Sequence, residues 1–383
     1  MRANPLYELV LLDRLAPAER ELVAGQDGGD ELYGVLRPRA GADLEPRSAS
    51  TDTALLFLTL AEPAPLPEFV RARLGDDTER TIARLVVDGV LEIEADGDFV
   101  SGARAGELVL GRRGSSAGSG RIAALSTAAL RYGQELDGLP ESLLALRLYF
   151  YGRKPVSPRL RRELPDEHAV AARLGVVPGG SAWPEIESGW IEVPPPQGER
   201  TVWRHWRPRA MPSGRSRGRA ANYKLYVSPT ADALELALPA VAGTLASARG
   251  VVAFKVGRDL PDVCRPDKLV VYLDRLDDLQ EAAELLRERL DGCPAHGVPF
   301  TAAVTSDGLL SWGADPPGGS GPASSWRMWV VEQLAAYLAL ARRSDAAGLE
   351  PWRFALERLR LSGVDTDTWV PASGMWPEAL ASV

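Results

Sequence analysis

Cysteine and histidine are scarce in this 383-residue chain. Only two cysteines occur, Cys264 and Cys293, and neither stands in a C-x-x-C or mixed Cys/His spacing. This pattern argues against a disulfide framework and against structural zinc, and it favours a reducing, cytoplasmic location. The three histidines, His168, His205 and His296, are isolated from one another, so the sequence predicts no metal site.

Long apolar runs and nucleotide-binding loops are missing as well. The N-terminus has no apolar core of signal-peptide length, and no run approaches the roughly eighteen apolar residues that a membrane span requires. No G-x-G-x-x-G or G-x-x-x-x-G-K-[ST] loop follows any predicted strand, which excludes the usual signatures of dinucleotide and nucleoside-triphosphate binding. We therefore expect a protein that has no membrane partner and needs no cofactor.

The length of the chain favours more than one domain. The Gly/Ser-rich run GRRGSSAGSGR at 111–121 is the clearest linker, so we place a first domain at 1–110 and a second at 121–383. The first domain contains three successive helical patterns and then two short strand patterns around Asp96-Gly97, a dipeptide that favours a tight hairpin. Three helices followed by a hairpin predict a winged-helix-like unit.

A winged helix has three alternative uses. Arg80 and Arg84 in the third helix are outnumbered by acidic residues, which argues against a DNA-binding regulator and against any nucleic-acid partner. The element order resembles the PqqD-like recognition elements of ribosomal peptide natural-product (RiPP) pathways, and this resemblance implies that a leader peptide is bound by strand addition. A purely structural domain is the third alternative.

Basic residues are unevenly placed in a chain whose net charge is −8. The segment 201–230 contains no acidic residue, and aromatic side chains and His205 alternate with its cations. Such a segment indicates either an anion-binding site or a solvated basic loop. Its cations are Arg204, Arg207, Arg209, Arg215, Arg217, Arg219 and Lys224.

Lysine is rare among the 44 basic residues: only Lys154, Lys224, Lys255 and Lys268 occur. A buried lysine beside other cations can lose its proton and act as a base, whereas an arginine stays protonated. Three of the lysines lie close together in the sequence, in or beside predicted strands. They are either ordinary surface lysines or the groups that carry chemistry.

The second half of the chain alternates between strand and helix patterns. NYKLYVSP, VVAFKVG, DKLVVYLD and VPFTAAV predict strands, and helices flank them, which together predict an α+β fold with a mixed or antiparallel sheet. In these strands Lys224 and Tyr226 point away from Leu225, and Lys255 points away from its apolar neighbours. The shared face is either a solvated sheet face or a cationic floor.

Five motifs in order, KLYVSP, FKVGRD, CRPDKLVVYLD, VPFTA and SWRMW, carry a family resemblance. They resemble the HopA-type effector-like domain of type III effectors and of class V lanthipeptide and thioamitide biosynthesis. That domain is similar to phosphothreonine lyases and to the lyase domains of class III lanthipeptide synthetases. The resemblance implies β-elimination of phosphate from phospho-Ser or phospho-Thr of a ribosomal precursor peptide, which gives dehydroalanine or dehydrobutyrine. It also implies a separate kinase-like partner and a later enzyme such as a cyclase.

The resemblance assigns roles to particular residues. Lys255 matches the lysine that removes the Cα proton, and Lys224 matches the lysine that polarises the substrate carbonyl. Tyr226 stands where the phosphothreonine lyases have the histidine that protonates the leaving phosphate, which leaves the identity of the acid open. This departure favours the alternative of a non-catalytic scaffold that binds the phosphopeptide or the kinase. The phosphate ligands that we expect are Arg265 first, and then Arg258, Lys268, Arg327, Arg204 and Arg207.

Overall fold

The chain divides into two compact units in the computed structural model. One unit is formed by Met1–Ser115 together with Ala336–Ser362, and the other by Ser116–Ala335 together with Gly363–Val383. The predicted domain bounds, 1–110 and 121–383, stay predictions, and part of the linker between them lies outside the described residues. The structure describes residues 1–17, 32–42, 44, 46–110, 118–195, 201–209, 223–316, 325–343 and 349–371.

The described part of the chain contains both strands and helices. The strands are β1 (Arg2–Ala3), β2 (Tyr7–Leu11), β3 (Leu32–Pro38), β4 (Arg47–Ser50), β5 (Leu91–Ala95), β6 (Asp98–Val100), β7 (Trp190–Val193), β8 (Trp203–Pro208), β9 (Tyr223–Val227), β10 (Val251–Gly257), β11 (Leu269–Leu273), β12 (Ala302–Ala303), β13 (Leu310–Ala314), β14 (Val364–Asp365) and β15 (Val370–Pro371). The helices are α1 (Thr51–Thr59), α2 (Glu68–Leu74), α3 (Thr78–Val87), α4 (Gly106–Leu110), α5 (Arg121–Gln134), α6 (Glu141–Tyr149), α7 (Pro158–Glu163), α8 (Glu167–Arg173), α9 (Trp183–Gly189), α10 (Leu234–Ser247), α11 (Leu260–Val263), α12 (Leu276–Arg289), α13 (Trp326–Arg343) and α14 (Pro351–Leu361).

The first unit contains two three-stranded sheets, in the orders β2-β3-β4 and β1-β5-β6. Helices α1, α2 and α3 precede the β5–β6 hairpin, which is the element order that the sequence predicts. Asp96 and Gly97 both have positive φ, 53° and 87°, as a tight type I′ turn requires, so the predicted hairpin is confirmed. The winged-helix interpretation of this unit stays a prediction.

The second unit is built on a seven-stranded sheet in the order β12-β13-β9-β11-β10-β8-β7. Each of its strand pairs is antiparallel, and helices flank the sheet, so the predicted α+β class is confirmed. One face of the central strands is apolar and packs on α9, α10 and α12. The buried side chains of that face include Leu225, Val227, Phe254, Val256, Leu269 and Val271.

The opposite face of the sheet carries the polar side chains. Lys255 pairs directly with Val270 on β11 and with His205 on β8, while Tyr272 pairs with Lys224 on β9. Directly paired residues point to the same side of an antiparallel sheet, so these side chains share one face, and the predicted alternation is confirmed. This face is not solvated at β9, because the exposed fraction is 9 % for Lys224 and 3 % for Tyr226.

Candidate active site

The amine of Lys255 lies between two aromatic rings. Its Nζ is 4.3 Å from the ring centroid of Trp203 and 5.2 Å from that of Tyr272. It makes no hydrogen bond or ion pair with any described residue. Burial, reinforced by the positive charge of Lys224, lowers the pKa of Lys255 to about 8. A lowered pKa makes the neutral amine more accessible near physiological pH and suits it to accept a proton.

Lys224 has a fixed counterion, in contrast to Lys255. Its Nζ forms an ion pair with Asp315 and lies 5.5 Å from the ring centroid of Tyr272. The second oxygen of Asp315 accepts a hydrogen bond of 2.9 Å from the backbone N–H of Trp326, which holds the carboxylate in place at the start of α13. The geometry therefore separates the two amines into a paired cation and an amine for which the described residues provide no acceptor.

Asp267 is the centre of a buried network. Its two oxygens accept hydrogen bonds from Nε and Nη2 of Arg265, both at 3.0 Å, and Oδ2 also accepts from the Tyr149 hydroxyl at 2.9 Å. Arg327 Nη1 lies 3.0 Å from Oδ2. Burial alone would raise the pKa of Asp267, but the charges of Arg327 and Arg265 outweigh it and hold that pKa well below its usual range.

Arg265 connects this network to Lys255. Its guanidinium lies 4.7 Å from the ring centroid of Trp203, the same ring that contacts Lys255, and 5.1 Å from that of Phe150. Only Nε and Nη2 are held by Asp267, so Nη1 keeps its hydrogens for another acceptor. A guanidinium fixed along one edge presents its other edge in a defined direction, which suits a tetrahedral anion.

Two of the other expected phosphate ligands are completely buried. Arg327 is 0 % exposed and donates to the carbonyls of Pro299 and Tyr149 in addition to its contact with Asp267. Lys268 is also 0 % exposed, and its Nζ donates to the carbonyl of Pro229 at 2.7 Å. Both side chains are therefore bonded within the fold and present no exposed group to a phosphate.

The cations that remain are not brought to Lys255. Arg258 forms an ion pair with Glu167, and Arg204 projects from the opposite face of β8 and pairs with Glu192 at 3.3 Å. Arg207 is exposed on the face that it shares with Lys255, two pairings further along β8. Arg215, Arg217 and Arg219 lie outside the described residues. In the part of the basic stretch that the structure describes, Trp203 contacts the amine and His205 is its cross-strand partner.

Tyr226 lies within the site as a buried phenol. Its ring packs with Val270, Val298 and Tyr272, and burial raises its pKa well above the usual value. Burial therefore weakens this hydroxyl as a proton donor, and the role of Tyr226 as the acid stays a prediction.

His205 is the side chain whose position the sequence did not reveal. It is the cross-strand partner of Lys255, its ring centroid is 6.3 Å from that of Tyr272, and its Nε2 is buried without a hydrogen-bond partner among the described residues. Burial and the charge of Lys255 lower its pKa. The alternation of W-R-H-W-R along β8 indicates which side chains share a face with His205, but only the pairing of β8 with β10 shows that this face carries Lys255.

The described ranges contain neither a metal-binding cluster nor a membrane-spanning helix. Within the described ranges, no group of three or more His, Cys, Asp or Glu side chains is arranged to hold a metal ion. No helix in those ranges has both the length and the apolar surface needed to cross a bilayer.

Comparison with known proteins gives structural likenesses at low identity. No family model and no curated protein matches the sequence. The effector protein from Pseudomonas syringae pv. tomato strain DC3000 is 13 % identical, with 64 % of this chain and 97 % of that chain covered and a TM-score of 0.41. The phosphothreonine lyase OspF from Shigella flexneri is 15 % identical, with 32 % and 69 % covered and a TM-score of 0.26. The Salmonella plasmid virulence C protein is 15 % identical, with 54 % and 95 % covered and a TM-score of 0.29.

These neighbours include phosphothreonine lyases, the group that the sequence resemblance names. At TM-scores this low the likeness decides neither the activity nor the substrate of this chain.

Proposed function

We propose that this chain is a carbon–oxygen lyase that eliminates phosphate from phospho-Ser or phospho-Thr of a peptide. The observation that carries the proposal is the Lys255 amine. It has no acceptor among the described residues, and its pKa is lowered to about 8. It lies beside Lys224, a cation that already has a counterion, and beside Arg265, whose guanidinium is held along one edge. These three groups provide what the reaction needs: a base, a cation for the carbonyl oxygen and a phosphate ligand.

The proposed reaction proceeds at one residue of the substrate. Lys255 Nζ takes the Cα proton, and the electrons of the C–H bond form the Cα=Cβ double bond as the Cβ–O bond breaks. Lys224 stabilises the negative charge that develops on the substrate carbonyl oxygen, and Arg265 binds the phosphoryl oxygens. Phosphate leaves, and dehydroalanine or dehydrobutyrine remains in the peptide.

Mass spectrometry tests the proposal directly. Incubation of the full chain with phosphorylated peptides should decrease their mass by one phosphoric acid per site, and the product should accept a thiol. A decrease equivalent to HPO3 would instead indicate hydrolysis by a phosphatase. Binding without any mass change would support the scaffold alternative, which the absence of a histidine at position 226 favours.

The rate of elimination should depend on pH through Lys255. The amine must be neutral to accept the Cα proton, so activity should rise as the pH increases toward about 8, where the pKa of Lys255 lies. This rising part of the pH profile should appear in kcat/KM, which reports the ionisation of the free enzyme. A flat profile between pH 6 and about 9 would contradict the assignment of Lys255 as the base.

We further propose that this lyase acts on a ribosomal precursor peptide in a class V lanthipeptide or thioamitide pathway. A separate kinase-like protein would phosphorylate the peptide first, and a cyclase would use the dehydro residue afterwards. The chemistry supports this order, because the product is an electrophilic alkene that a cysteine thiol can attack.

The first unit offers a place for the leader of such a peptide. A groove of about 340 Å³ runs between β4, an edge strand, and α3. An edge strand can add one more strand to its sheet, and the adjacent groove can hold the side chains of that strand. Asp88 in the groove is already bound by Arg47 and Arg358, an arrangement that does not resemble a phosphate-binding surface for DNA.

Blocking this groove should weaken peptide binding. Ser48 lines the groove. The probe is a peptide that was selected from a displayed random library for binding to the wild-type chain. Ser48→Trp should lower the affinity for this peptide by tenfold or more, a change of about 1.4 kcal/mol. Leu58→Trp on α1, where the side chain is 56 % exposed outside the groove, is the matched control and should change the affinity little. Fluorescence anisotropy measures both, and equal losses in the two variants would refute the groove as the binding site.

A further inference from the structure

We propose that His205 is the acid that protonates the departing phosphate. This inference rests on the proposed lyase function and adds to it a catalytic residue on a strand that contains neither of the two lysines.

The chemistry of the leaving group creates the need for an acid. A phosphorylated side chain has a second pKa of about 6, so its phosphate is largely a dianion at neutral pH. If the Cβ–O bond breaks without protonation, the leaving group is a phosphate trianion, which is a strong base and a poor leaving group. One proton on the bridging oxygen makes it the hydrogenphosphate dianion.

Few described groups on the Lys255 face can provide that proton. Tyr226 and Tyr272 are phenols whose pKa values are raised by burial. The imidazole of His296 is occupied at both nitrogens, since Nε2 is 2.7 Å from the carbonyl of Gly152 and Nδ1 is 3.0 Å from Nζ of Lys268. His205 is different, because its buried Nε2 has no partner among the described residues.

The sheet places His205 where the acid is needed. It faces Lys255 directly across the β8–β10 pairing, and Trp203, two residues earlier on the same face of β8, contacts both Lys255 and Arg265. A substrate with its Cα at Lys255 and its phosphate at Arg265 therefore has its Cβ–O bond close to this strand.

The charges around His205 explain how it becomes protonated. Lys255 faces it from β10, Tyr272 faces it from β11, Arg207 follows it on β8, and its partner on β7 is the apolar Val193. Burial and the charge of Lys255 lower the pKa of the imidazole in the free protein. A bound phosphate dianion adds negative charge beside the ring, and loss of the proton from Lys255 removes the repulsion, so both changes favour the imidazolium.

The experiment compares two leaving groups in otherwise identical peptides, phosphothreonine and sulfothreonine. Sulfate is a weak base and leaves without a proton. His205→Gln should slow elimination of phosphate by roughly 10²–10³-fold, within the range of general acid catalysis, and should change elimination of sulfate by less than about threefold. His168→Gln, at an exposed histidine on α8, is the control and should behave as wild type with both peptides.

The outcomes separate this inference from the lyase proposal. If wild type eliminates neither group, the lyase function itself is wrong. If wild type eliminates both and His205→Gln slows both by the same factor, or neither, His205 is not the acid. Phosphopeptide binding by His205→Gln, measured by anisotropy, should stay within a few-fold of wild type and shows that the variant is folded.

Discussion

Replacing Lys255 with methionine should abolish elimination while the phosphorylated peptide still binds. Methionine keeps the length of the side chain and its packing against Trp203 and Tyr272 but cannot accept a proton. Removal of a general base costs roughly 10²–10⁴-fold in rate, so single-turnover elimination should fall to the limit of detection by mass spectrometry. Binding should change only a few-fold, because Arg265 and Lys224 remain to hold the anion and the carbonyl.

Lys255→Arg separates the charge of this residue from its proton affinity. Arginine stays protonated at any working pH, so this variant should bind the phosphopeptide and fail to eliminate. Lys154→Met, at an exposed lysine, is the matched control and should have wild-type activity. Substantial elimination by Lys255→Met or Lys255→Arg would show that another group removes the Cα proton.

Asp267→Asn should be the most destabilising substitution proposed for the second unit. The change leaves Arg265, 7 % exposed, and Arg327, 0 % exposed, without their shared carboxylate. Removing one partner of a buried ion pair costs about 3–5 kcal/mol, because the remaining charges stay buried without compensation. Urea unfolding of wild type and variant measures the difference in the free energy of unfolding.

The difference in the free energy of unfolding between wild type and Asp267→Asn should depend on pH, and this dependence shows whether the difference comes from the charge of Asp267. The folded-state pKa of Asp267 lies below its unfolded value of about 3.9, so the carboxylate stabilises the fold at neutral pH. That contribution is lost as the pH falls below about 4 toward the folded-state pKa, and the gap between wild type and Asp267→Asn should narrow there.

A surface carboxylate provides the control for the Asp267 experiment. Asp277 pairs at 3.4 Å with Arg275, and both side chains are largely exposed. Asp277→Asn should therefore change the free energy of unfolding by less than about 1 kcal/mol at every pH. If Asp267→Asn had an effect this small, Arg265 and Arg327 would have another source of compensation.

The sequence predicts the parts of the site that depend on local alternation. Lys224 and Tyr226 share a face of β9, and Lys255 points away from Phe254, because a strand sends successive side chains to opposite sides. The Asp96-Gly97 hairpin follows from backbone preferences in the same way.

The contacts that complete the site depend on non-local pairing, which one sequence does not reveal. Asp315 reaches Lys224 only because β13 pairs with β9, and the strand order of the sheet is not encoded in local patterns. Arg204 faces away from Lys255 because of the register of β8 on β10. The predicted VPFTAAV strand shortens to Ala302–Ala303, since Phe300 adopts a positive φ of 63° that interrupts extended backbone.

The two lysines stand on strands that do not touch each other, because β11 runs between β9 and β10. Neighbouring strands are about 4.8 Å apart, and Lys255 is two residues out of register with Lys224, so the stems of the two side chains start more than about 10 Å from each other. Tyr272 rises from the middle strand, and both nitrogens lie within 5.5 Å of its ring centroid. In the proposed reaction, a Cα whose hydrogen meets one nitrogen and whose carbonyl meets the other must rest above this ring. The thickness of the Tyr272 ring thus sets how closely a substrate can approach the sheet. A smaller residue at this position would let the substrate bind closer to the sheet without changing either lysine.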